Sequence, residues 1–133
     1  MNKEIKTIWV SALRSGGYKQ GSTYLRQGDK YCPLGILCDL AIKEGTADYW
    51  LDSGVFNADG DNVYAAVSEW EVEYFLPPAP VFRWAGLPYD DKRKVFLPVE
   101  VALQGGFPRE IQYFNDELEM PFNEIADLIE EQL

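Results

Sequence analysis

Apolar positions Ile5, Ile8, Trp9, Ala12 and Leu13 recur at helical spacing behind Asn2, a residue suited to the N-cap. The pattern predicts a helix that Gly16-Gly17 ends. The next stretch, YKQGSTYLRQGDKY, carries glycines at 21 and 28 and reads as a loop leading to a short hairpin that turns at Gln27-Gly28-Asp29. Pro33 suits a first helical turn and Gly45 a stop, so a second helix is predicted from about Pro33 to Glu44. Leu34, Ile36, Leu37, Cys38, Leu40, Ala41 and Ile42 surround its axis and leave only Asp39 and Lys43, four apart, as a polar edge and expected ion pair. A helix apolar on most sides belongs at the centre of the fold.

Farther on, Asp59-Gly60 separates two runs rich in Val, Phe and Tyr, which predicts a hairpin. From Glu69 the chain alternates Glu69, Glu71, Glu73 with Trp70, Val72, Tyr74, which places three carboxylates on a solvated strand face and the apolar residues inward. Prolines then punctuate a short helix or turn from Val81 to Ala85, a basic edge at Lys92-Arg93-Lys94 and a strand at Val95 to Leu97. Two helical stretches close the chain, Pro108 to about Glu117 and Pro121 to Leu133. The expected fold class is α+β: a single compact domain over residues 1–133, its terminal helices packed on a small, mostly antiparallel sheet.

Charge changes the picture more than composition does. The net charge is −10, and it is polarised: residues 1–43 hold seven Lys/Arg against three Asp/Glu, residues 44–133 five against nineteen. From Glu110 onward there are eight acids and no base. Such a balance opposes the phosphate backbone and argues against direct nucleic-acid binding. No apolar run approaches a bilayer span, and charges interrupt the amino-terminal apolar positions, so a cytosolic location without membrane contact is expected.

Candidate chemistry is sparse. The cysteines, Cys32 and Cys38, are six apart and the chain has no histidine, so a zinc set from one subunit cannot be completed and the thiols are expected as core filler; a reactive Cys32 at a helix start is the alternative. The tip Asn57-Ala58-Asp59-Gly60-Asp61-Asn62 lacks the glycine and the glutamate of a calcium loop and reads as a polar turn. No P-loop, G-x-S-x-G or G-x-G-x-x-G appears, and no catalytic residue, metal or cofactor is assigned.

Two surfaces are candidates. The first, for an anionic small molecule such as a nucleotide, is the one basic and aromatic segment, with Arg14, Tyr18, Lys19, Gln20, Tyr24, Arg26 and Lys30 among glycines whose amides can approach an anion. The second, for a protein with a basic surface, is the acidic carboxy-terminal face, with Glu117, Glu119, Glu124, Glu130 and Glu131.

Three stretches carry a resemblance over most of the chain: W-x-x-A-L-R-S-G-x-Y-x-Q-G from Trp9, C-x-L-G-[VI]-L-C-D-L from Cys32, and N-D-x-x-x-x-x-F-x-E-I-A-D-x-I-E from Asn115. Together they resemble small uncharacterised proteins of bacteriophages and bacterial genomes. Where this chain has Pro121, the resemblance implies a capping serine in those proteins. The resemblance carries no activity and implies the context of a phage or prophage accessory protein; the leading expectation is that the protein acts without catalysis, by binding a host factor, with a counter-defence role among the expectations. A carboxylate- or metal-dependent hydrolase acting on a nucleotide, drawing on acids such as Asp39, Asp116 or the Asp90-Asp91 pair, is one alternative; a structural or assembly component is another.

Overall fold

The computed structural model describes every residue except Asp91 and Lys94, and of Val95 and Phe96 it describes the backbone alone. The second acid of the Asp90-Asp91 pair and the last base of the Lys92-Arg93-Lys94 edge therefore lie outside the described residues.

The chain is α+β. Helix α1 (Lys3–Arg14) starts where Asn2 Oδ1 accepts the Ile5 N–H at 3.0 Å. Three two-residue strands follow, β1 (Lys19–Gln20), β2 (Arg26–Gln27) and β3 (Lys30–Tyr31), and then the central helix α2 (Pro33–Lys43). Strands β4 (Tyr49–Phe56), β5 (Asn62–Ser68) and β6 (Glu71–Glu73) build most of the sheet, whose order is β1-β3-β2-β5-β4 with β6 also paired to β5. Among the described residues only β1 and β3 run parallel. Helix α3 (Ala79–Ala85) leads to two small antiparallel ladders, β7 (Tyr89–Asp90) with β8 (Val95–Phe96) and β9 (Glu100–Val101) with β10 (Arg109–Glu110). Helices α4 (Ile111–Asp116) and α5 (Phe122–Gln132) complete the chain, and α5 packs on α1.

Helix α2 contacts α1, α3, α4 and β3, and its Leu34, Ile36, Leu37, Cys38 and Ala41 are fully buried. The CPLG sequence explains how its first turn is built. Cys32 is the N-cap, its Sγ accepting the Gly35 N–H at 3.3 Å, and Pro33 occupies a position where the missing N–H costs nothing. The Pro33 carbonyl accepts the buried Trp9 Nε1–H at 2.8 Å and ties α1 to α2. Gly35 faces the backbone of the 22–31 segment: a Cβ there would lie 1.8 Å from the Leu25 carbonyl oxygen. That oxygen accepts the Cys32 N–H, the Leu25 N–H donates to the Tyr74 carbonyl, and the Leu25 side chain is wholly buried. The segment thus crosses α2 in backbone contact, a passage only glycine permits.

Three expectations need correction. The strand from Glu69 is shorter and inverted: Glu69 and Trp70 form the β5–β6 turn with Glu69 at φ 56°, Trp70 is 97% exposed, and Val72 faces outward. Glu71 and Glu73 are half-buried instead. The Glu71 Oε2 accepts the Ala79 N–H at 3.0 Å, and burial, with Glu71 beside it, raises the Glu73 pKa. Period two was correct; the exchange of faces follows from a turn that takes up the first two residues and from the cap that Glu71 supplies to α3. The Pro108 helix begins only at Ile111, because Arg109–Glu110 pair with Glu100–Val101. Strand Val95–Phe96 ends a residue before Leu97.

Both cysteines are free and buried, and burial outweighs the Gly35 N–H bond to push the Cys32 thiol up to about 12. Burial also raises the Cys38 thiol. A thiol reagent such as Ellman's is expected to find neither thiol in the native protein and both after denaturation; rapid modification of native Cys32 would contradict the assignment. Gly35→Ala is expected to cost about 3 kcal/mol or more, since the overlap is with backbone that cannot rotate away. Urea denaturation measures it, and a loss under about 1 kcal/mol would show that the contact is looser than described.

A polar pocket as candidate functional site

The basic and aromatic residues between positions 14 and 30 do not share one site. Arg14 bridges the terminal helices, its Nη2 lying 2.6 Å from both Asp127 and Glu130, and those two hydrogen bonds raise its pKa. Lys19 pairs with Asp29 at 2.7 Å, which raises the lysine and lowers the aspartate. Tyr24 stacks on Phe75, ring centroids 5.2 Å apart. Arg26 sits among three rings, its guanidinium carbon 4.0 Å from the Tyr64 centroid, 5.4 Å from Tyr31 and 5.7 Å from Trp50, while its Nε donates to the Gly28 carbonyl at 2.8 Å. Such contacts hold a cation against aromatic faces without a carboxylate.

Tyr18 belongs to a second cluster, centred on the buried Asp39. One carboxylate oxygen accepts the Tyr18 hydroxyl at 2.5 Å and Lys43 Nζ at 3.0 Å; the other accepts Trp50 Nε1–H at 3.0 Å. The i,i+4 ion pair expected on α2 is therefore present, and three elements share one of its partners. Burial pushes the Asp39 pKa upward, but the hydrogen bonds from Tyr18, Trp50 and Lys43 together outweigh it and hold the carboxyl below the ordinary range. Burial and the bond to Asp39 raise the Tyr18 hydroxyl.

Gln20 and Lys30 are brought together. With Gly21, Ser22, Gln27, Asn57, Asp59, Asn115 and Glu119 they line a cavity of about 360 Å³ between the 20–30 segment, the β4–β5 tip and the α4–α5 junction. Its walls are a relay of carboxamides. Gln20 Nε2 donates to Asn115 Oδ1 and to the Met120 carbonyl, both at 2.7 Å. Asn115 Nδ2 donates to the Gly21 carbonyl and to Asp116 Oδ1, both at 2.8 Å. Gln27 Nε2 donates to the Ser22 carbonyl at 2.5 Å, and Gln27 Oε1 accepts Asn57 Nδ2–H at 2.6 Å. Gln27 and Asn115 are only 9% and 3% exposed, so these walls are fixed by burial as well as by bonding.

The donor inventory decides what the pocket presents. An amide NH₂ carries two hydrogens, and those of Gln20 and Asn115 are both spent on the protein itself. Lys30 Nζ lies 3.2 Å from Asp61, so its charge is answered locally. Two carboxylates, Asp59 and Glu119, share the lining with Lys30, while Gln27 and Asn57 each spend one of their two amide hydrogens on the bonds described. Thr23, next to Ser22, and Glu119 are held at φ 73° and 51°, costs of about 1 kcal/mol or more each that the surrounding bonds must offset.

Of the acidic residues selected from the sequence, Glu119 lines the pocket, Glu117, Glu124 and Glu131 are exposed, and Glu130 is engaged by Arg14. Helix α5 starts behind Pro121 with no side-chain cap. Sequence reasoning missed Gln27, Asn57, Asp59 and Asn115 as a group because the relay joins positions up to 100 residues apart. One signal was present: Gln20-Gly21 and Asn115 lie in two of the stretches that carry the resemblance.

Architecture and pocket together describe an α+β protein with a preformed, electronegative polar pocket. The chain belongs to the family described as domain of unknown function DUF8296, which matches residues 1–133. No curated protein and no solved structure matches it. Among the described residues no helix is long and apolar enough to cross a membrane.

Asp39 gives a pH test of the neighbouring cluster. An unfolded aspartate titrates near 3.9. A folded pKa below that contributes stability that is present above the unfolded value and lost as pH falls through the folded one. Asp39→Asn is expected to lower stability by about 1–3 kcal/mol at pH 7, and the gap to wild type should close as the pH drops below about 4. Urea denaturation across pH 3–7 reads it; a gap independent of pH would contradict the assignment.

Proposed function

We propose that the protein is a binding module that engages a basic surface on a partner protein, taking a lysine or arginine side chain of that partner into the polar pocket beside Asp59 and Glu119. The observation that carries this reading is the charge of the lining: two carboxylates, Asp59 and Glu119, against one lysine, Lys30, that is set against Asp61, with the Gln20 and Asn115 amide hydrogens used internally. Such a lining favours a donor-rich cation over an anion. A volume of about 360 Å³ lies in the range of small-ligand pockets and accommodates one side chain with its flanking backbone. Beyond Glu119, the exposed Glu117, Glu124 and Glu131 extend the negative field across α4 and α5 and steer a basic partner toward it. The phage-type resemblance makes a host factor the natural partner, with counter-defence as the biological setting.

Capture of an anionic nucleotide by the 14–30 segment draws less support, because Arg14, Lys19 and Lys30 are each matched by a carboxylate.

N-acetyl-arginine amide serves as the probe. In amide-resolved NMR it is expected to shift the side-chain NH₂ signals of Gln20, Gln27, Asn57 and Asn115 with a Kd of order 1 mM, about −4 kcal/mol. Asp59→Asn combined with Glu119→Gln should weaken it about tenfold. N-acetyl-leucine amide should shift none of them. Equal responses to both probes, or shifts on titration with inorganic phosphate instead, would overturn the proposal.

A further inference from the structure

Among the described residues one buried side-chain oxygen finds no donor on the chain, Oε1 of Gln112 on α4. A buried acceptor without a donor is costly. Gln112 lines a small cavity of about 70 Å³ where α3, the 97–99 stretch and the start of α4 meet. Its walls are mostly apolar, Phe82, Leu97, Pro98 and Val99 among them, and the other polar group in the lining is Glu110. Phe82 and Val99 are buried, and the Val99 carbonyl accepts the Ile111 N–H at 2.9 Å, so the wall and the start of α4 are fixed to each other.

The charge beside the cavity is a second, independent observation. Glu110 stands directly opposite Glu100 in the β9–β10 ladder, and like charges so placed repel. Both are exposed, and neither has an ion-pair partner among the described residues. Arg109, the next cation along the chain, has its guanidinium carbon 4.5 Å from the Tyr113 ring centroid instead. A cation arriving at Glu110 therefore displaces no ion pair and relieves a repulsion.

Size and lining together select the guest. The cavity has about half the volume that seats a benzene ring, which admits the end of an unbranched chain and refuses a nucleotide. Apolar walls favour methylenes, while the Gln112 oxygen and the Glu110 carboxylate favour a tip that carries positive charge and several hydrogens. A primary ammonium has three donors on one compact atom; a guanidinium is a wider, planar fork. We infer that this cavity is a second cation site, which takes the ammonium end of a partner protein's lysine, its methylenes against Phe82, Leu97 and Val99 and its Nζ donating to Gln112 Oε1 and Glu110. The site is independent of the pocket beside Asp59 and Glu119, with which it shares no lining residue.

Amide-resolved NMR on the full chain tests it with N-acetyl-lysine amide. The side-chain NH₂ signals of Gln112 and the backbone amides of Phe82 and Val99 should shift with a Kd of order 1–10 mM, weakening as salt is added. N-acetyl-norleucine amide, which has the methylenes without the ammonium, should leave them in place, and N-acetyl-arginine amide should bind at least about fivefold more weakly. Glu110→Gln should weaken the lysine probe about fivefold or more. Gln112→Met keeps the length of the side chain and removes the acceptor; it should abolish the shifts at Phe82 and Val99 and leave Tm unchanged or higher, since no bond to the chain is lost. A clear fall in Tm on Gln112→Met would show that a structural water already answers the oxygen, and would overturn the inference. Equal responses to the lysine and norleucine probes would do the same. So would lysine shifts confined to Gln20, Gln27, Asn57 and Asn115, a result that leaves the proposed function standing.

Discussion

The passage of the Leu25 backbone across Gly35 is the contact on which the rest of the molecule depends. Helix α2 lies at the centre of the fold, and a segment of irregular chain must cross its first turn closely enough to have its carbonyl answered by the Cys32 N–H. Because Leu25 is then fixed between α2 and Tyr74, the strands that follow enter the sheet in a set register, Arg26 opposite both Tyr31 and Tyr64. The same fixation puts Gln27 and Lys30 on the pocket wall and Arg26 among its three rings. A buried Trp9 on the Pro33 carbonyl locks the first helix to this assembly. One missing Cβ thus links the core to the surface where recognition is proposed.

Much of the framework was legible in the sequence, for local reasons. Asn2 as a cap, Pro33 as a first-turn residue, Gly28-Asp29 and Asp59-Gly60 as hairpin turns, and the apolar circumference of α2 all act within a few residues of themselves. The errors arose where a distant partner overrode the local pattern. Glu71 and Glu73 point inward because α3 needs its first amide capped, and Arg109 is extended because Val101 pairs with it. The candidate site was half legible. Gln20 and Lys30 were selected, but for the charge of their segment. That charge is locally matched, and the property that counts in the pocket, which carboxamide hydrogens are free, depends on Asn115, Asn57 and Met120 far along the chain.

Charge is divided between holding the chain together and facing outward. Most of the amino-terminal cations work internally: Arg14 binds α1 to α5, Lys19 and Lys30 secure loops, and Lys43 completes the Asp39 cluster. Exposed pairs of this kind contribute little stability individually, yet they remove the positive charge that would compete with a basic partner. The acidic surplus is left outward on α4, α5 and the pocket rim.

The central claim is that the pocket recognises a cation through oxygen. A crystal structure determined with guanidinium present tests it most directly. The expected result is a guanidinium seated between Asp59 and Glu119, with the carboxamide relay unchanged. A pocket that stays empty of guanidinium, or one that takes up an anion against Lys30, would contradict it.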